Sequence, residues 1–141
     1  MLLVLRSVAE AAEVGPCNDL DRISNLVGQT KSYAGGKIMI ALVDTDGEPV
    51  CCSSHLLVFI PDREIGRQCF ALSQKAAKSS EGQRGFSSIE FNRIAASYDP
   101  HRGLLLTIPY RLYGSDAPRR QPERVHLRVE LRGKGSVTVE Q

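Results

Sequence analysis

The last part of the chain, residues 124–140, alternates apolar and polar side chains with a period of two. Successive side chains of a β-strand point to opposite faces, so this spacing predicts strands with one buried and one solvated face. Residues 133–135 read Gly-Lys-Gly and interrupt the alternation with turn chemistry, which predicts an antiparallel hairpin. The side chains predicted to be buried in this hairpin are Val125, Leu127, Val129, Leu131, Val137 and Val139.

Short apolar segments separated by turn residues occupy much of the chain before this hairpin, and each has the length of a strand. These segments are residues 37–43, 50–60, 86–96 and 104–113. Residues 67–73 fit either a further strand or the first turns of a helix that runs to Lys78. The segment Gln74–Gly85 is rich in Lys, Ser and Gly, and it is predicted to be an exposed loop.

The clearest helical pattern lies near the N-terminus, over Asn18–Gly28. Its apolar residues recur at helical spacing, Asn18 or Asp19 can cap the first turn, and Gly28 can close the last turn. The pattern predicts one short N-terminal helix. Together with about six to eight short strands, it predicts a mainly β fold, either an antiparallel β-sandwich or a partly open barrel. A length of 141 residues favours a single globular domain over residues 1–141.

The composition is that of an ordinary globular domain, with 42% hydrophobic and 24% charged residues. The apolar runs fall far short of the roughly 20 residues that a membrane-spanning helix needs, so no membrane span is expected. No basic residue precedes the apolar stretch Met1–Leu5, so no signal peptide is predicted and a cytoplasmic location is expected. A net charge of +2 does not by itself indicate a partner.

The chain contains four cysteines, Cys17, Cys51, Cys52 and Cys69. Their spacing matches neither a disulfide framework nor a paired zinc-binding motif. We therefore interpret them as free thiols that fill small apolar spaces. The alternative is a redox pair between Cys69 and one of the two vicinal thiols.

Motifs that carry catalysis or ligand binding are absent, including the GxSxG elbow, HExxH, the phosphate loop and the dinucleotide fingerprint. The acidic stretch Asp44–Glu48 resembles a calcium loop in composition, but the twelfth position is His55 rather than Glu, so it is predicted to be a hairpin turn. Cys52 and His55 are three residues apart and would face opposite sides of a strand. No metal or cofactor is therefore predicted. A small thiol-dependent enzyme is the least favoured hypothesis, and its candidate residues are Cys52, Cys69, His55, His101 and His126.

Basic residues concentrate towards the C-terminus, where residues 101–141 carry 8 Lys and Arg against 4 Asp and Glu. Arg124, Arg128 and Arg132 share the outward face of one predicted strand, at a spacing that suits a phosphate backbone. Glu130 interrupts this row and the chain has no Trp, which favours an ordinary solvated face instead. The basic residues assigned to the nucleic-acid-binding alternative are Arg119, Arg120, Arg124, Arg128 and Arg132.

The leading functional hypothesis is a non-catalytic binding or assembly module that binds another protein or, more specifically, forms a homo-oligomer. Residues 104–113 are apolar on both faces, which is typical of a strand that is central or covered by another chain. Pro109 has no N–H, which predicts that this strand lies at a sheet edge or carries a bulge. The residues predicted to contact the partner are Leu105, Pro109 and Tyr113.

Overall fold

The computed structural model describes residues 12–18, 20–21, 26–45, 53–74, 85–112 and 122–140. Strands dominate these residues, which contain no α-helix and only two short 3-10 turns, Ala34–Gly36 and Phe91–Arg93. The strands are β1 (Ala12–Pro16), β2 (Leu26–Tyr33), β3 (Ile38–Asp44), β4 (Ser54–Asp62), β5 (Gly66–Gln74), β6 (Ser88–Ile89), β7 (Ala95–Asp99), β8 (Gly103–Arg111), β9 (Glu123–Glu130) and β10 (Ser136–Glu140). The prediction of a mainly β fold is confirmed.

The strands pair antiparallel in two sheets. Sheet A has the order β1-β5-β4-β3-β2, and sheet B has the order β10-β9-β8-β6 with β7 also paired to β8. Buried side chains from both sheets belong to one hydrophobic cluster, so the two sheets share a core. The most buried members of this cluster are Ile40, Leu56, Ile60, Leu72, Leu106, Ile108, Tyr110 and Leu127.

The predicted C-terminal hairpin is confirmed, both in the position of its strands and in which face of them is buried. Strand β9 buries Val125, Leu127 and Val129 and turns the residues between them outward. Strand β10 pairs with β9 in a register that places Val137 opposite Val129. Residues 67–73 lie within strand β5, so the strand alternative is correct for that segment. Most of the predicted loop Gln74–Gly85 lies outside the described residues.

The predicted N-terminal helix is wrong. Leu26 begins strand β2, whose pairing with β3 skips a position between Val27 and Gln29. Gly28 stands at this skipped position, so the glycine marks a β-bulge rather than the end of a helix. Residues 26 and 27 pair with Asp44 and Val43, and these ladder contacts override the local helical spacing.

Strand β8 is not an edge strand, so the edge position predicted from Pro109 is wrong. It pairs with β9 along one side and with both β6 and β7 along the other. The carbonyl of Pro109 accepts a hydrogen bond from the backbone N–H of Glu90 at 2.9 Å, so Pro109 faces the side of β6 and β7. On that side β6 ends at Ile89 and is followed by the 3-10 turn Phe91–Arg93. No strand therefore needs a hydrogen bond from the N–H that Pro109 lacks.

The chain between β1 and β2 joins the two opposite edges of sheet A. Cys17 and Leu20, which belong to this crossover, are buried in a second cluster with Ala41, Leu57 and Ala71. Leu57 alternates with Leu56 and Val58 of the shared core, so this cluster lies on the outer face of sheet A. The described apolar residues of this crossover, Cys17 and Leu20, therefore pack on the outer face of sheet A.

A disulfide joins Cys17 to Cys69, with 5.5 Å between their Cα atoms. It continues the ladder of β1 and β5, because Pro16 pairs with Phe70 immediately before it. The interpretation of all four cysteines as free thiols is therefore wrong for these two. The alternative pairing of Cys69 with a vicinal thiol is also wrong, and Cys51 and Cys52 lie outside the described residues.

Candidate functional site

Strand β7 presents a free edge of sheet B. It pairs with β8 on one side and has no strand on its other side among the residues described. Ala96 and Tyr98 pair with Leu106 and Leu104, which are buried, so all four side chains face sheet A. Tyr98 is nevertheless 70% exposed. Sheet A therefore leaves the inner face of β7 uncovered.

The turn between β7 and β8 holds this edge in a defined position. The side chain of Asp99 accepts a hydrogen bond from the N–H of His101 at 2.7 Å, and its carbonyl accepts one from Arg102 at 3.2 Å. Asp99 pairs with Gly103, so the hairpin loop between them has three residues. Gly103 has a φ of +87°, a left-handed conformation that is common at the end of such loops. A Cβ at Gly103 would stand 2.4 Å from the carbonyl oxygen of Val129, so only glycine fits between β8 and β9 here.

A cleft of about 700 Å³ opens beside β7, between the two sheets. Its apolar lining includes Ile38 of sheet A, Leu104 and Val129 of sheet B, and Leu131, which follows β9. Tyr98 contributes to the wall on the side of β7. This volume lies within the range of about 300–1,000 Å³ that is typical of binding pockets, and apolar walls are typical of them as well.

The opposite wall of the cleft is the β2–β3 turn. Tyr33, Ala34 and Lys37 line it, and Ala34 has a φ of +53°, a left-handed conformation that is uncommon for a residue with a Cβ. Burial raises the pKa of the Tyr33 hydroxyl, so this group is neutral at physiological pH. Lys37 is exposed and forms no ion pair with another described residue. The wall thus carries one unpaired positive charge.

Two of the strand arginines predicted to bind nucleic acid are engaged within the protein. Arg128 donates to both carboxylate oxygens of Glu140, at 2.6 and 3.0 Å, and Arg102 reaches the same carboxylate at 2.7 Å. This hydrogen bond from Arg128 is the main cause that lowers the pKa of Glu140 to about 2. Arg132 pairs with Glu130 at 2.7 Å and also donates to a backbone carbonyl. These contacts neutralise much of the row.

The remaining members of the predicted basic set are Arg124, Arg119 and Arg120. Arg124 is exposed and has no ion-pair partner in the described part of the chain. Arg119 and Arg120 lie outside the described residues, so the nucleic-acid hypothesis remains a prediction.

Two of the three residues predicted to contact an oligomer partner lie on the outward side of β8. Leu105 is half-buried and pairs with Ser97 on one side and with Arg128 on the other. Pro109 is buried. Tyr113 lies outside the described residues. Because both edges of β8 are occupied, a partner strand has no access to β8 itself.

A buried polar pair lies on the outer face of sheet A, which the sequence did not reveal. The Nδ1 atom of His55 is 3.0 Å from the hydroxyl of Ser73, and both residues are almost completely buried. Burial lowers the pKa of His55 to about 4, and the carboxylate of Asp44 opposes this shift in part. The Nε2 atom of His55 has no hydrogen-bond partner among the residues that the structure describes. Neither His55 nor Ser73 lines the cleft beside β7.

The thiol-dependent alternative loses one of its nucleophiles in this structure. Cys69 cannot act as a thiolate while it is bonded to Cys17. Cys52 lies outside the described residues. The described residues contain no group of three His, Cys, Asp or Glu side chains arranged to hold a metal ion. Within the same residues, no helix has the length and apolarity needed to cross a bilayer.

The chain was compared with known proteins at the level of family, sequence and structure. No protein-family model matches it, and no curated protein and no solved structure is significantly similar to it.

Proposed function

We propose that this chain is a non-catalytic assembly module, a β-sandwich in which two copies join edge to edge through β7. The observation that carries the proposal is the free edge of β7 together with its exposed inner side chains, Ala96 and Tyr98. An unpaired edge strand offers a row of backbone donors and acceptors that a second strand satisfies. Side chains on the same face of the two paired strands then pack beside each other, which removes part of their apolar surface from water.

Strand β7 is self-complementary about Ser97. In an antiparallel pair centred on this residue, Tyr98 of one copy lies opposite the partner's Ala96, and a large side chain thus meets a small one on the same face. The same operation places Asp99 opposite the partner's Ala95, so like charges do not face each other. A twofold axis through Ser97 therefore creates two equivalent Tyr–Ala contacts, as closed symmetric dimers require.

The edge also lacks the protection that monomeric proteins usually build in. Edge strands commonly carry Lys, Pro or a bulge that discourages pairing with another chain. Strand β7 reads Ala-Ala-Ser-Tyr-Asp, and its pairing with β8 runs without a register shift. Its four residues before Asp99 are uncharged and exposed. These features favour association through β7.

Sedimentation velocity of the full chain tests the proposal over a series of concentrations up to the high micromolar range. We expect a monomer–dimer equilibrium for the wild type. The variant S97K places two lysines face to face at the twofold axis and should weaken the dimer at least tenfold. The matched control is S136K, which puts the same charge on an exposed residue of β10, the other edge strand of sheet B.

The control should associate like the wild type. A wild-type protein that stays monomeric at every concentration would contradict the proposal. Equal weakening by S97K and S136K would also contradict it, because the effect would then depend on total charge rather than on β7. A dimer that neither substitution weakens would place the interface elsewhere.

A further inference from the structure

The cleft beside β7 has a floor that the shared core already holds in place. Ile38, Leu104 and Val129 line the cleft and are at most 6% exposed, because they also pack in the hydrophobic cluster of the two sheets. Side chains that are packed in a core keep their positions, so this floor needs no rearrangement to receive a ligand. The residues that line the cleft belong to a single copy of the chain, so a ligand there does not depend on the proposed dimer.

Two tyrosines line the opposite walls of this cleft. Tyr98 of β7 is 70% exposed, and Tyr33 at the end of β2 is half-buried. Aromatic rings provide large apolar surfaces against which a hydrocarbon chain packs. Because burial raises the pKa of Tyr33, its hydroxyl keeps its proton at neutral pH and can donate a hydrogen bond. The walls therefore suit a ligand that is mostly apolar.

The lining of the cleft carries a net charge of +1. Its charged residues are Lys37, Glu130 and Arg132. Glu130 and Arg132 form an ion pair at 2.7 Å, so their charges cancel. Lys37 is exposed and has no ion-pair partner in the part of the chain that the structure describes. The charge that complements this lining is a single negative one.

The β2–β3 turn places this positive charge next to the apolar floor. The N–H of Lys37 donates to the carbonyl of Ala34 at 3.3 Å, which closes the turn. Ala34, Gly35 and Gly36 have φ angles of +53°, +65° and +89°, and the left-handed conformation is unfavourable for the alanine. Lys37 directly precedes Ile38, so the lysine lies at the rim where the floor begins.

We propose that this cleft binds a free aliphatic monocarboxylate, with its hydrocarbon chain on the floor between Tyr33 and Tyr98 and its carboxylate beside Lys37. A carboxylic acid is ionised at neutral pH and supplies the single negative charge that complements the lining. Removal of the hydrocarbon chain from water provides most of the affinity. The attraction to Lys37 then selects an anion over a cation of the same length.

A titration of the ¹⁵N-labelled full chain with decanoate at pH 7.5, below the concentration at which decanoate forms micelles, tests the proposal by amide NMR. The shifts should concentrate in the β2–β3 turn and around Leu104. K37E should weaken decanoate binding at least fivefold and should strengthen the binding of decylammonium, whereas K37R should keep the decanoate affinity within twofold. The matched control is K134E, because Lys134 is also exposed but lines a different groove.

The control should bind decanoate like the wild type. Failure of decanoate to shift the cleft amides would overturn the proposal, as would shifts centred on the exposed Ile65 instead. Equal weakening by K37E and K134E would overturn it too, because the effect would then depend on total charge. Cleft amides that respond to protein concentration but not to decanoate would assign the cleft to a second copy. Binding of decanoate by a chain that sediments as a monomer would support this proposal while contradicting the dimer.

Discussion

Protonation of the buried His55 should make the stability of this protein depend steeply on pH between about 7 and 5. Burial lowers the pKa of His55 to about 4 in the folded chain, whereas an unfolded chain gives a histidine its ordinary value of about 6.5. The unfolded state then binds more protons than the folded state between these two values, so stability rises with pH across this interval. The stability is complete above about pH 6.5 and is lost as pH falls towards 4.

The size of the effect follows from the two pKa values of His55. Between pH 7.5 and pH 5.0 the linkage relation gives a loss of about 2 kcal/mol in the free energy of unfolding. With a urea m-value of about 1–3 kcal/mol per molar for a domain of this size, the midpoint should fall by about 1 M.

Urea unfolding followed by circular dichroism at pH 7.5 and 5.0 measures this difference. The variant H55Q cannot titrate at this position, so its midpoint should change little between the two pH values, whatever its absolute stability. The matched control H101Q removes an exposed histidine and should keep the full change of the wild type. A wild-type midpoint that moves by less than about 0.2 M would refute the reasoning, as would an H55Q variant that keeps the wild-type change.

Three further predictions concern the edge, the turn and the C-terminal ion pair. Y98A should weaken self-association at least tenfold in sedimentation velocity while leaving the melting temperature within about 2 °C, because the side chain is exposed in the monomer. G103A should destabilise the fold by about 2–4 kcal/mol in urea titrations, whereas G133A, which has positive φ but open space around it, should cost about 1 kcal/mol. The folded pKa of Glu140 lies below its unfolded value, so its carboxylate contributes stability that is lost as pH falls from about 4.5 to 2. E140Q should lack this contribution, and acid unfolding of the wild type and of E140Q shows whether the unfolding transition moves.

Period-two patterning was sufficient to predict β9 and β10, because it records which face of each strand is buried. The buried faces of β9 and β10 follow directly from the alternation of Val125 to Val139. The same reasoning failed at Asn18–Gly28, where the apolar spacing that suggested a helix belongs in part to a strand and its bulge. Helical spacing over one or two turns is too weak to outweigh pairing with a neighbouring strand.

Pairing over long sequence distance explains what the sequence did not reveal. The disulfide partners are 52 residues apart and meet only because β1 adds to the far edge of sheet A beside β5. Pro109 indicated an edge, but the 3-10 turn that interrupts the neighbouring strand allows it a central position. Strand β7 has no alternating pattern, so its exposure was not readable from Ala95–Asp99 alone. In each case the deciding contact is non-local.

The crossover also imposes an order of events during synthesis. Strand β1 leaves the ribosome first, yet it has no partner until β5 has been made. At about 5–20 residues per second, the 52 residues between Cys17 and Cys69 correspond to a delay of about 3–10 s. Cys51 and Cys52 emerge within that interval and offer Cys17 a wrong partner before Cys69 exists. Sheet A can therefore be completed only after β5, its last strand in the sequence, has been synthesised. The native Cys17–Cys69 bond forms only after that step.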